Sequence, residues 1–374
     1  MLNTLRFGAL VLIAGFLLSC TSDRDRLALV IPHADAEVQA PDAAEPVEEP
    51  APDAATPHPD AAPEVPDVGP PPPPPDAGVL PEDAGAPNLG ERCFPEIYDP
   101  NHPGPDYDQF NPVVESHCLG TNHQDITGIE RVVFLGDSIT QGSPPTPWSQ
   151  RYRVRMQNTL RDRFGRDVEI ANCSKWGART DDLLMPPHQQ ILECFPNAVE
   201  PKRTLVIMTI GGNDVSSVQK DGADGAPYAE TRAKVEQFVR YLREAIEWFY
   251  ADPNRFPNGV FVVFSNMYEF TDGTGDVGAC PVAGLAGFNG TWPDAEELVI
   301  WANEQFVRIA VETQTDIIFM LEHFCGHGFN NDDPSASRCY RGPNTERWFD
   351  LTCIHPNPRG HEEIARMFTA VIDE

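Results

Sequence analysis

Positive charge is scarce in this chain of 374 residues. Lysine and arginine total 27 against 57 aspartates and glutamates, a formal net charge of −30. That balance argues against nucleic acid as a partner and gives no electrostatic grip on anionic lipid. Long apolar runs are missing too. In "MLNTLRFGALVLIAGFLLSC" the stretch Phe7 to Leu18 follows a single basic residue, Arg6. It is too short for a comfortable bilayer span and has the size of a signal-peptide core. No two cysteines stand at CxxC spacing, which removes the commonest zinc signature. The acidic stretches "DGTGDVGACPVAG" and "KDGADGAP" lack EF-hand spacing and read as loops.

The apolar start ends in Leu17-Leu18-Ser19-Cys20, which resembles a bacterial lipobox, where signal removal leaves a cysteine carrying lipid. The bland alternative is an ordinary secretory signal before an unmodified cysteine. The lipobox reading makes the protein exported and held to the cell envelope through Cys20, anchored to a membrane and not spanning it. From residue 21 to about 92 the chain has almost no aromatic or large aliphatic residues, as in "PDAAEPVEEPAPDAATPHPDAAPEVPDVGPPPPPPDAG". Such a segment cannot bury enough apolar surface to offset chain entropy. It reads as a disordered spacer, extended by proline and self-repelling through its acids.

With Cys20 set aside, Cys93, Cys118, Cys173, Cys194, Cys280, Cys325, Cys339 and Cys353 form an even set in an exported domain, which suggests up to four disulfides. Pairing neighbours would join Cys173 to Cys194 and Cys339 to Cys353, although many connectivities are open.

The folded domain is expected over 93–374. Short apolar runs alternate with longer amphipathic ones. "RVVFLGDS", "VEIANCS", "RTLVIMTIGGND", "GVFVVFSNM" and "DIIFMLEH" read as five strands. Between and after them, "SQRYRVRMQNTLRDRFG", "YAETRAKVEQFVRYLREAIEWFY", "DAEELVIWANEQFVRIAVETQ" and "HEEIARMFTAVI" read as helices, the first stopped by Gly165. Continuous apolar strands alternating with helices imply an α/β protein of three layers, α/β/α, around a mostly parallel sheet of five strands. Ligands bind such sheets at the carboxyl ends of the strands.

Polar residues stand where those strands stop: Ser138 after the first, Gly177 after the second and Asn213 after the third, with His355 just before the last helix. Each has a bland reading. Ser138 could be a helix cap, Gly177 a turn, Asn213 a loop hydrogen-bonder and His355 a surface residue beside Pro356. The coincidence of all four is harder to accept. A serine hydroxyl is a weak nucleophile until a histidine takes its proton, and attack on an ester creates an oxyanion that needs donors.

Over about 130–370 the chain resembles the SGNH, or GDSL-like, hydrolase family. Gly136-Asp137-Ser138 matches the nucleophile block, Gly177 in "NCSKWGART" the second, Gly211-Gly212-Asn213-Asp214 the third, and His355 in "CIHPNPRGH" the last. The resemblance implies a flavodoxin-like fold and a serine esterase or lipase that needs no cofactor and no metal. It implies Ser138 as nucleophile and His355 as base. The oxyanion would be held by the backbone N–H groups of Ser138 and Gly177 and by the side-chain amide of Asn213.

One position departs from the family. The aspartate usually found three residues before the histidine is replaced by Thr352, and Asp350 is the nearest carboxylate. Asp350 could reach the ring through a rearranged loop. The pair could instead act as a dyad, the ring oriented by a backbone carbonyl or by Thr352. Or the enzyme could be weak or inactive, a lipoprotein that binds a glycan or lipid. A disulfide at Cys353 could hold this loop rigid.

Elsewhere, His361 looks structural, and His323 and His327 flank Cys325 in a loop better explained by a disulfide than by a metal. Trp148 in "SPPTPW" is either a wall of the substrate pocket or a core anchor for the helix after it. The reading that results is an exported, lipid-anchored monomer that hydrolyses an acyl or acetyl ester of a glycan or lipid.

Overall fold

The computed structural model describes residues 89–95, 104–286, 292, 294–335 and 337–374. They belong to one of two compact units, and the other, Asp23–Ala86, lies outside the described residues. So do the signal-like start, Cys20 and nearly all of the expected spacer.

Five strands form the sheet: β1 Arg131–Gly136, β2 Glu169–Asn172, β3 Thr204–Thr209, β4 Val260–Ser265 and β5 Asp316–Ile318. Their order is β2-β1-β3-β4-β5, and every pairing is parallel. This is the doubly wound order whose switch point lies between the neighbours β1 and β3. The helices are α1 Leu89–Cys93, α2 Ser138–Gln141, α3 Tyr152–Phe164, α4 Gln190–Cys194, α5 Gly212–Ala223, α6 Tyr228–Trp248, α7 Ala295–Thr313, α8 Met320–Phe324 and α9 Pro358–Asp373.

The strands divide their side chains between two cores. Val133 and Leu135 of β1 and Val206 and Met208 of β3 join the helices α6 and α7 through Phe238, Leu242, Leu298 and Phe306. Val132, Phe134, Leu205 and Ile207, one residue out of step, join α3 and α9 through Tyr152, Met156, Ile364 and Phe368. The period of two along each strand therefore builds both faces at once. Each such side chain removed from water contributes roughly 1.5–3 kcal/mol, and that burial holds the strand ends in register.

Four disulfides join Cys93 to Cys118, Cys173 to Cys194, Cys280 to Cys353 and Cys325 to Cys339. The neighbour rule was right for Cys173–Cys194 and wrong for Cys339–Cys353. The chain brings the Cys280 loop, not the nearer cysteine, against the segment before α9. Such bonds persist in oxidising compartments, outside the cytoplasm. No helix among the described residues is long and apolar enough to cross a membrane.

Two further expectations are corrected. The fifth apolar run is strand only to Ile318, and "MLEHF" turns into α8. The polar stretch after Asn213 is helical over Gly212–Ala223, although part of it reads as a loop. Leu89, four residues before Cys93, is buried, and its N–H donates to Asp108 Oδ1 at 2.8 Å.

Candidate active site

The apolar strand β1 stops at Gly136 because the backbone there must pass close to β3. Its φ is +118°, and a side chain would collide with the carbonyl oxygen of Thr209. Gln190, fully buried on α4, grips the same residue with both ends of its amide. Its oxygen accepts from the Gly136 N–H at 2.7 Å, and its nitrogen donates to the Gly136 carbonyl at 3.0 Å. No motif in the sequence signals this role for Gln190.

Asp137 then caps α2. Its Oδ1 accepts from the N–H of Ile139 and from the hydroxyl of Thr209, both at 3.0 Å. The capping reading of Ser138 is thereby overturned, since the residue before it does that work and leaves the serine hydroxyl unclaimed by the helix. Ser138 Oγ stands 2.8 Å from His355 Nε2, although the two are 217 residues apart in sequence. Behind Ser138, Thr140 bonds the hydroxyls of Tyr152 at 2.6 Å and Thr209 at 2.8 Å, pinning α2 to α3 and β3.

His355 is 2% exposed and arrives on a loop fastened at several points. The N–H of Asp350 donates to the His355 carbonyl at 2.9 Å. Tyr268 donates its hydroxyl to the Ile354 carbonyl at 2.7 Å. The Cys280–Cys353 bridge ties down the residue two before the histidine. On the far side Asn357 caps α9, accepting from Arg359 and Gly360 at 2.9 and 3.0 Å. Burial pulls the imidazole down to about 4, so the ring is neutral at pH 7.

The ring's second nitrogen meets a hydroxyl. His355 Nδ1 is 2.8 Å from Thr352 Oγ1, and Thr352 donates that hydroxyl to Asp350 Oδ1 at 2.5 Å. The Asp350 carboxylate does not hydrogen-bond the ring, contrary to the rearranged-loop alternative; Thr352 stands between them. Asp350 is buried, its Oδ2 has no hydrogen-bond partner among the described residues, and burial raises its carboxyl to about 6.

The second and third blocks are clasped to each other. Asn213 donates a side-chain N–H to the Ala178 carbonyl at 2.9 Å. Asp214 accepts from the N–H and the hydroxyl of Thr180, both at 3.0 Å. Gly177, with φ +75°, lies inside the clasped segment. The Asn213 amide carries a second N–H beyond the one given to Ala178.

Trp148 is not a core anchor. It is 57% exposed, with the guanidinium groups of Arg151 and Arg153 over its ring at 5.5 and 5.0 Å. His361 is buried and its Nδ1 accepts from the N–H of Tyr152 at 3.3 Å. His323 and His327 bond backbone carbonyls, of Cys118 at 3.0 Å and of Glu346 at 2.7 Å. In the "DGTGDVG" loop Asp272 turns its carboxylate inward to the N–H groups of Gly326, Gly328 and Asn330. A groove lined by His323, Arg341, Trp348, Arg359, Glu363 and Arg366 lies apart from Ser138. Its arginines are already engaged: Arg359 and Arg366 with Glu363 at 2.7 and 2.6 Å, Arg341 with two carbonyls.

The GDSL-like lipase/acylhydrolase family model matches residues 134–363, well over half of the chain. No curated protein matches in sequence. Among solved structures, a lipolytic G-D-S-L family protein from Veillonella parvula is similar at 15% identity and a TM-score of 0.40, over 65% of this chain and 98% of that one. An acetylxylan esterase from Geobacillus stearothermophilus is similar at 17% identity and a TM-score of 0.43, over 67% and 97%.

Proposed function

Since this chain belongs to the GDSL-like lipase/acylhydrolase family, we propose that it is a serine esterase that cleaves a carboxylic ester through an acyl intermediate on Ser138. The observation that carries the reading is the 2.8 Å contact of Ser138 Oγ with His355 Nε2 in a buried setting.

His355 is the base. As Ser138 Oγ bonds to the ester carbon, its proton passes to Nε2 and the carbonyl π pair moves to oxygen. A neutral imidazole is what this step requires, and the depressed histidine satisfies it. The backbone N–H groups of Ser138 and Gly177 and the second amide N–H of Asn213 hold the oxyanion. Donors placed in advance are worth roughly 3–4 kcal/mol each when removed singly. When the intermediate collapses, the ester C–O bond breaks and Nε2–H protonates the departing alkoxide. Water then attacks the acyl group by the same steps, releasing the acid and regenerating the Ser138 hydroxyl.

The substrate we infer is an acyl or acetyl ester of a glycan or lipid, met at the cell envelope where a lipidated Cys20 would hold the enzyme. Hydrolysis of p-nitrophenyl esters, from acetyl to long acyl, by the full chain and by Ser138→Ala tests the whole reading. Turnover and phosphonate labelling lost in the variant are expected, and the chain-length profile separates a deacetylase from a lipase. A folded wild type that cleaves none of the esters and takes no label would favour a binding lipoprotein instead.

A further inference from the structure

Resting on that reading of the site, we propose that Thr352 is a positioning residue that carries the influence of Asp350 to His355 through its hydroxyl, so that the site runs Ser138–His355–Thr352–Asp350. The contacts form an unbroken chain: 2.8 Å from Ser138 Oγ to His355 Nε2, 2.8 Å from Nδ1 to Thr352 Oγ1, and 2.5 Å from Oγ1 to Asp350 Oδ1. All four residues are buried.

Counting donors sets the direction of every bond. An ionised carboxylate can only accept, so the single hydroxyl proton of Thr352 belongs to Asp350. The Thr352 oxygen, its proton spent, must accept from the ring, and Nδ1 therefore bears the hydrogen. Nε2 is left bare and faces the Ser138 hydroxyl, the tautomer that a base needs. Without the threonine hydroxyl nothing seen at Nδ1 would select this tautomer.

The turn is built around the same oxygen. The N–H of Thr352 also donates to Asp350 Oδ1, at 2.7 Å, which locks the side chain that the ring reads. Asp350 meanwhile leaves Oδ2 buried and without a partner among the described residues. A carboxylate kept half-satisfied in the interior lowers stability, and its contact with Thr352 is the one through which it reaches the site. During attack one proton moves, from Ser138 Oγ to Nε2. The protons on Nδ1 and Thr352 stay where they are, while Asp350 polarises the hydroxyl toward the new imidazolium.

The test uses the full chain carrying Thr352→Val, Thr352→Ser, Asp350→Asn and the double change Thr352→Asp with Asp350→Asn. Three readouts are taken: kcat and KM on p-nitrophenyl acetate, circular dichroism, and the downfield proton resonance of His355 Nδ1–H. Thr352→Val is expected to lower kcat by about 10²–10⁴, the scale of a lost tautomer, with KM within about threefold. Thr352→Ser, which keeps the hydroxyl, stays within about tenfold of wild type. Asp350→Asn falls as Thr352→Val does, and the double change, with a carboxylate directly on the ring, recovers most of that loss. A folded Thr352→Val with unchanged kcat and an unchanged Nδ1–H resonance would overturn the relay while leaving the esterase reading intact. If the wild type proves inactive, the resonance still decides: lost in Thr352→Val and kept in Thr352→Ser it upholds the relay, and unmoved in both it sinks it.

Discussion

The side-chain amide of Asn213 gives one N–H to the carbonyl of Ala178, 2.9 Å away, and so lies against the residue that follows Gly177. The bond ties together the two segments, 36 residues apart in sequence, that carry two of the donors proposed for the oxyanion. Preorganisation of this kind avoids the reorientation that water would need during reaction.

Replacing Asn213 by alanine should therefore strike the transition state more than the ground state. We expect kcat on p-nitrophenyl acetate to fall by about 10²–10³ with KM changed little. Loss in KM alone would mean that the amide binds substrate and does not hold the oxyanion.

The acid limb of the pH profile should have two steps. Asp350, raised to about 6, takes a proton first and ceases to balance the imidazolium, so activity falls toward the level of Asp350→Asn. His355 protonates near 4 and the base is then lost. In Asp350→Asn the step near 6 should vanish while the one near 4 persists. The comparison is of kcat/KM from pH 3 to 9, with circular dichroism to mark where the fold itself fails.

Stability should respond to Asp350 with the opposite sign to activity. A carboxyl whose pKa is raised by burial binds its proton more tightly folded than unfolded. The folded state is thus penalised as pH rises from about 4 to 6, and the full penalty is present above 6. Asp350→Asn should then gain about 3 kcal/mol at pH 7.5 and nothing below pH 4. Urea melts at the two pH values check this, and equal stability shifts at both would contradict it.

Removing the Cys280–Cys353 bridge opens a loop of 73 residues. A double change to serine should cost roughly 2–5 kcal/mol. Because Cys353 stands two residues before His355, kcat should also fall at temperatures where the variant is still folded. A variant that melts earlier but keeps full kcat would show that Tyr268 and the Asp350–His355 backbone bond suffice to hold the loop.

Gly136→Ala places a side chain where φ is +118° and the Thr209 carbonyl already sits. Relief would require parting β1 from β3, which pair along their whole length. The expected outcome is a loss of more than about 3 kcal/mol or no folded protein, read by thermal melting.

Much of this was legible in the chain itself. Runs such as "VVFLG" and "LVIMT" are apolar without alternation because both faces of a parallel sheet are covered, and that pattern survives translation into residues directly. The ordered blocks at the strand ends were legible for the same reason: a sheet of this type collects its chemistry at one edge. The run "DIIFMLEH" misled because Phe319, Met320 and Leu321 continue the apolar stretch past Ile318, where the pairing with β4 ends and the helix takes over.

What the sequence by itself determined was the parallel sheet and the identity of the residues at its carboxyl edge, since both follow from local periodicity and residue type. Tertiary structure alone decided how His355 is supported. Cys353 takes a left-handed turn at φ +72° and bonds a cysteine far upstream, and that fold of the loop puts Thr352 on the ring and Asp350 behind it. A contact of 2.8 Å depends on the path of the whole loop through space, and spacing along the chain does not encode that path.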